Sequence, residues 1–184
     1  MDPANRTQIR NAILAGGLAA GILDAIDAVI AFKAVLGFDP VPIYQFVASG
    51  LLGPSAFAGG AATALLGLAV HFLIAFVAAA TFVLASVAVP ALRSRHLLSG
   101  AVFGIGVYGV MNYLVIPLSR IPASPFSLPL FLNGLIGHAL LVGLPIAYAA
   151  RHYLGSAAAP RQPRTQAVAA DFSGRAEHAP SSAG

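Results

Sequence analysis

The chain contains no cysteine, which excludes disulfides, thiolate metal sites, iron–sulfur clusters and cysteine nucleophiles, and leaves the redox compartment unread. Charge is equally scarce. Only 9% of its 184 residues are Asp, Glu, Lys or Arg, where a soluble domain carries about a quarter. No stretch reads as a strand, so no glycine-rich nucleotide loop follows one. No serine is accompanied by a His and an acid at a hydrolytic spacing, and hydrolytic catalysis has no support.

What is present is apolar: 58% of the residues are hydrophobic and the mean hydropathy is +0.84. Lipid is the solvent such a chain suits, and in lipid each spanning backbone must satisfy its polar groups within its own helix. The reading is an all-α integral membrane protein, a four-helix bundle. Spans are expected at about 9–36, 61–89, 97–118 and 128–150, each long enough for ~30 Å of hydrocarbon at 1.5 Å per residue. The first follows Arg6 and Arg10 like a signal peptide, but its length and the presence of Asp24 and Asp27 mark a retained helix. Between the first two spans, Gly37 to Gly60 is punctuated by Pro and Gly. It holds the run Ile43 to Leu52, too short to cross, expected in the interface or re-entering the bundle. Pro122 and Pro125 disfavour helix in the loop before the fourth span. Residues 1–8 form a polar N-terminus, and from Gly155 the composition predicts a disordered tail.

The net charge of +4 and pI near 10.0 do not indicate nucleic acid, because the basic residues flank helices rather than cover a face. They report orientation instead. With the N-terminus inside, Arg6, Arg10, Arg93, Arg95, Arg151, Arg161, Arg164 and Arg175 are cytoplasmic, against Lys33 and Arg120 outside. Both ends are therefore expected in the cytoplasm. The preference for Arg over Lys and the abundance of Ala suggest a bacterial genome rich in GC.

Each span carries polar landmarks. Gly21-Ile22-Leu23-Asp24 aligns with Gly109-Val110-Met111-Asn112, and Gly67-Leu68-Ala69-Val70-His71 with Gly134-Leu135-Ile136-Gly137-His138. The matched order suggests two repeated helical hairpins with a pseudo-two-fold axis along the membrane normal. By helix rise, His71 and His138 lie roughly 15 Å below the outer surface, with Asp24 and Asn112 somewhat closer to it. Spacing puts each landmark on a small-residue stripe. These are Gly17, Ala20, Asp24, Asp27 and Ala31; Ala64, Gly67, His71, Ala75 and Ala78; Gly100, Gly104, Tyr108 and Asn112; and Gly134, His138, Leu141 and Pro145. Such stripes are where membrane helices approach, so the polar groups are expected to meet at the bundle axis.

An ionisable group at membrane depth costs at least ~2.5 kcal/mol on insertion scales, and is a functional candidate by default. The candidate ligand or proton-pathway residues are Asp24, Asp27, His71, Tyr108, Asn112 and His138. Three chemistries use them. A carboxylate beside imidazoles suits a proton, an ion or a small polar solute. Asp24, His71 and His138 are the ligand types of Zn²⁺ or a related metal. The two His could hold a b-type haem, with Gly67 and Gly134 making room for the ring. Beside these stand structural readings. Asn112 and Tyr108 serve as interhelical hydrogen bonds, His71 and His138 as neutral imidazoles bonded to Asp24 and Asn112, and Asp27 as a partner of Lys33 or outer water. Gly17-x-x-x-Gly21 and Gly100-x-x-x-Gly104 are contact motifs within or between chains. The cofactor stays open. A cofactor-free accessory or assembly subunit of a membrane complex is the rival reading.

The segments Ala48-Ser49-Gly50-Leu51-Leu52-Gly53, Gly67-Leu68-Ala69-Val70-His71-Phe72, Tyr108-Gly109-Val110-Met111-Asn112, Pro117-Leu118-Ser119 and Gly143-Leu144-Pro145-Ile146-Ala147 resemble a group of bacterial inner-membrane proteins. More distantly, the chain is similar to the YagU-like inner-membrane proteins, whose final helix also carries a Gly-His pair, here Gly137-His138. The resemblance covers residues 9 to 153. It implies a bacterial inner-membrane location and transfers no catalytic or ligand residue. Expected partners are the lipid bilayer and either further copies of the chain or a larger membrane complex. Because four helices are few for alternating access, transport would use a dimer.

Overall fold

The computed structural model describes residues 3–155, and the expected tail lies outside them. All described elements are helical, and four helices are long and apolar enough to cross a membrane. α1 runs Pro3–Leu36, α3 Gly60–Ala88, α5 His96–Leu118 and α6 Leu128–Leu154. Two shorter helices join them, α2 at Pro40–Leu52 and α4 at Ala91–Ser94. The protein is an integral membrane protein with a four-helix bundle.

Hydropathy locates the lipid-covered part of a helix better than its ends. α1 is 34 residues long, about 51 Å, and begins six residues before the expected start at Ile9. Proline fits the first turn of a helix because that turn's N–H lacks a partner anyway. The first turns of α1 carry the polar residues Asn5, Arg6, Thr7, Gln8 and Arg10, with Ile9 buried among them.

The buried positions are mostly small side chains, with Phe82, Val83 and Ile146 among them, and many large apolar side chains lie on the exterior. Ala12, Ala20, Ala79, Ala147 and Ala150 are fully buried, while Leu65, Leu73, Leu97 and Leu118 are more than half exposed. That inversion suits a bundle in lipid, where tails solvate Leu and close backbone approach holds helices together. At Gly143, an added Cβ would run into the Gly100 carbonyl, and one at Gly100 would lie 2.8 Å from the Gly143 carbonyl. α5 and α6 therefore touch backbone to backbone. α1 packs along both α3 and α6, and α5 leans chiefly on α6.

The segment expected in the interface or re-entering the bundle is α2, 13 residues long and about 20 Å, too short to span. Gly37 enters it with φ 72° and Gly53 leaves it with φ 65°, a left-handed conformation that glycine adopts without a Cβ clash. Lys33 on α1 donates to Asp39 at 2.7 Å across this turn. α2 lies along α3, with the Gln45 amide donating to the Gly60 carbonyl at 3.1 Å and to Thr63 Oγ1 at 3.3 Å. The Arg120 amide donates to the Gly50 carbonyl at 3.2 Å, so α2 and the α5–α6 loop share one end of the bundle.

α5 and α6 are not uniform. Each widens into a π segment, at Met111–Val115 and at His138–Gly143. Both precede a proline, Pro117 and Pro145. A helical proline lacks the N–H for residue i−4 and crowds that residue's carbonyl; those residues are Tyr113 and Leu141, inside the widened turns. The extra residue also turns the following surface. In α6 the buried face beyond His138 is Val142, Gly143, Ile146, Ala147 and Ala150, one position on from the expected Leu141 and Pro145, which are half-buried.

Candidate functional site

Three side chains from three helices converge: Asp24 of α1, His71 of α3 and His138 of α6. Asp24 Oδ2 lies 3.9 Å from His71 Nδ1, and Asp24 Oδ1 lies 3.7 Å from His138 Nδ1. The carboxylate thus offers one oxygen to each imidazole. Both separations are ion-pair distances and too long for the direct hydrogen bond that spacing had suggested. The side chains are only 15%, 20% and 21% exposed for His71, Asp24 and His138. Charge among them is weakly screened.

The partner of His71 is one that sequence reasoning missed. Its Nε2 lies 2.9 Å from the Gly21 carbonyl of α1. Glycine at that position leaves room for the neighbouring Phe72 ring, which a Cβ there would meet at 2.6 Å. A carbonyl oxygen only accepts, so His71 Nε2 carries the proton. Nδ1 then faces the carboxylate, and in a neutral ring it would present a lone pair to an anion. His138 Nδ1 is enclosed without a hydrogen-bond partner. In the neutral tautomer with N–H at Nδ1, its dipole points at Asp24.

Aromatic rings wall the group. Tyr108 meets His138 edge to face at 5.2 Å between centroids, and Phe72 meets His71 at 5.5 Å. Tyr44, on α2, stands 6.5 Å from His71 and donates its hydroxyl to the Ala25 carbonyl at 3.2 Å. Gly104 lets α5 approach the His138 backbone, because a Cβ there would strike the His138 carbonyl.

The remaining candidates are placed elsewhere. Asn112 donates to the Tyr108 carbonyl of its own helix at 2.9 Å, and so is satisfied within the widened turn rather than bonded to an imidazole. The two hairpins therefore use their acid and amide differently. Asp27 does not pair with Lys33, which holds Asp39 instead. Asn133 Nδ2 of α6 donates to Asp27 Oδ2 at 2.8 Å, and Gly137 leaves room for that carboxylate, since a Cβ there would lie 2.9 Å from Oδ2. Asn133 and Tyr44 were absent from the sequence candidates. Asn133 carried the same signal as the others, an amide at membrane depth; for Tyr44, a position in a non-spanning segment gave none.

The donor chemistry bears on cofactors. Among the described residues, no group of three His, Cys, Asp or Glu side chains is placed to hold a metal ion. His71 Nε2 is taken by a carbonyl, and the Nδ1 of each imidazole faces the Asp24 carboxylate. No protein-family model, curated protein or solved structure matches the chain.

Proposed function

We propose that this membrane protein relays a proton, free or coupled to a small polar solute, through Asp24, His71 and His138. One observation carries the reading: a single shielded carboxylate faces two imidazoles, one of which turns its other nitrogen to a backbone carbonyl. Such a group is neutral with one extra proton and charged without it, so it can load and release a proton at membrane depth. Asp27, three residues along α1 from Asp24 and on the same face, is the next acceptor toward the end that carries α2. The location is the bacterial inner membrane, with both termini cytoplasmic. The excess of Arg at the N-terminal end of α1, in the α3–α5 connection and after α6 supports that orientation, and the YagU-like resemblance supports the membrane. The working unit is an oligomer of this chain.

Purified full-length protein reconstituted in vesicles with an internal pH-sensitive dye tests the proposal. An imposed pH gradient should collapse faster than in empty vesicles. Asp24→Asn should slow that collapse at least about tenfold, the rate equivalent of ~1.4 kcal/mol, while leaving the protein folded. Asp24→Asn vesicles that conduct like wild type would overturn the relay. Rates equal to empty vesicles for wild type, with and without candidate solutes, would leave the cluster as helix-joining structure and overturn it equally.

A further inference from the structure

Away from the site, at the opposite end of the bundle, a groove of about 310 Å³ opens between α1 and α3, lined by Arg6, Ile9, Arg10, Ile13, Leu14 and Leu84. Its lining is chiefly apolar, with two arginines of α1 among its residues. Arg6 and Arg10 are one helical turn apart on one face of α1, where the helix leaves the hydrocarbon. Ile13, Leu14 and Leu84 continue the groove toward the membrane interior, and Leu14 and Leu84 are half exposed on its walls, at 52% and 53%. Ile9 is buried beneath it.

Among the described residues, charge at this end is one-sided. Arg6, Arg10, Arg93, Arg95 and Arg151 belong to it, whereas the carboxylates among the described residues are Asp24, Asp27 and Asp39. Asp24 and Asp27 are engaged in the polar site and Asp39 with Lys33. Arg93 is spent on the Leu154 carbonyl at 3.3 Å, and Arg151 on His96 Nδ1 at 2.8 Å. Among the described residues no carboxylate pairs with Arg6 or Arg10. Two guanidiniums a turn apart match the oxygens of a phosphodiester, which planar N–H forks bind in a defined geometry. A soluble anion would leave the apolar part of the groove uncovered.

We infer that this groove is a binding site for one anionic diacyl phospholipid. The phosphate lies between Arg6 and Arg10, and an acyl chain lies along Ile13, Leu14 and Leu84. The site is independent of the proton relay, since it shares no residue with it.

The full-length protein in detergent, mixed with phosphatidylglycerol and examined by native mass spectrometry, tests this. Wild type should retain one phosphatidylglycerol in preference to phosphatidylcholine. Arg6→Gln/Arg10→Gln should weaken retention at least about tenfold, and Arg95→Gln/Arg151→Gln, which removes the same charge at the same end, should keep it within about twofold. Should the first double variant fail to fold, Arg10→Gln alone decides, with an intermediate loss expected. Equal loss in both double variants would reduce the effect to diffuse attraction and overturn the site. Equal retention of phosphatidylcholine, or displacement of the lipid by glycerol phosphate alone, would overturn it as well.

Discussion

His71 shows how much a single contact can decide. Its bond to the Gly21 carbonyl fixes which nitrogen bears the proton, and with that Nδ1 is the nitrogen that faces Asp24. Replacing His71 with Ala removes an interhelical hydrogen bond, worth about 0.6 kcal/mol on average in membrane bundles, so only a modest loss in unfolding free energy is expected. Gly21→Leu is a different matter, because the new side chain collides with Phe72; overpacking of this kind costs about 1–3 kcal/mol. Unfolding in mixed micelles should rank the two variants in that order, and a larger loss for His71→Ala would count against the assignment. Asp24, His71 and His138 were legible in the sequence because each is a polar residue on a small-residue stripe. The Gly21 carbonyl was not, since every residue has one and only the helix crossing selects it. Asn112 misled for a related reason: periodicity gives the face a side chain shares and is silent about a bond back to its own backbone.

At the scale of elements, the widened turns before Pro117 and Pro145 are the feature that spacing rules passed over. A strict period of 3.6 carries the His138 face onto Leu141 and Pro145, whereas the extra residue in the turn carries it onto Val142 and Ile146. The signal was present in the sequence as a proline inside an apolar span, where neighbouring helices allow it. Pro145→Ala restores an N–H for the Leu141 carbonyl and removes the crowding that opens the turn. The expected result is a folded protein with a rotated His138 and a slowed collapse of the pH gradient; unchanged flux would show that the widened turn does not position His138. The backbone contact between Gly100 and Gly143 gives the sharper stability test. Gly143→Val should destabilise α5 against α6 by about 1–3 kcal/mol, read as a lower midpoint of unfolding.

Over the whole molecule, the four spans and the short helix between the first two followed from hydropathy, because lipid demands long apolar helices whatever their partners. How those helices neighbour one another did not follow. A pattern of Ala and Gly says that a face is approached and leaves open by which helix, so the central place of α1 between α3 and α6 had to come from the structure. Orientation is the prediction belonging to this scale. Reporter fusions at Arg95 and Arg120 should report opposite sides of the membrane, with Arg95 cytoplasmic. The tautomer of His71, which turns Nδ1 toward Asp24, underlies the proposed relay, and nitrogen NMR of histidine-labelled protein in lipid bilayers reads it most directly. His71 should show a protonated Nε2 in every condition, together with an Nδ1 signal that moves when Asp24 is replaced by Asn. A bare His71 Nε2, or a His71 spectrum identical in wild type and Asp24→Asn, would contradict it.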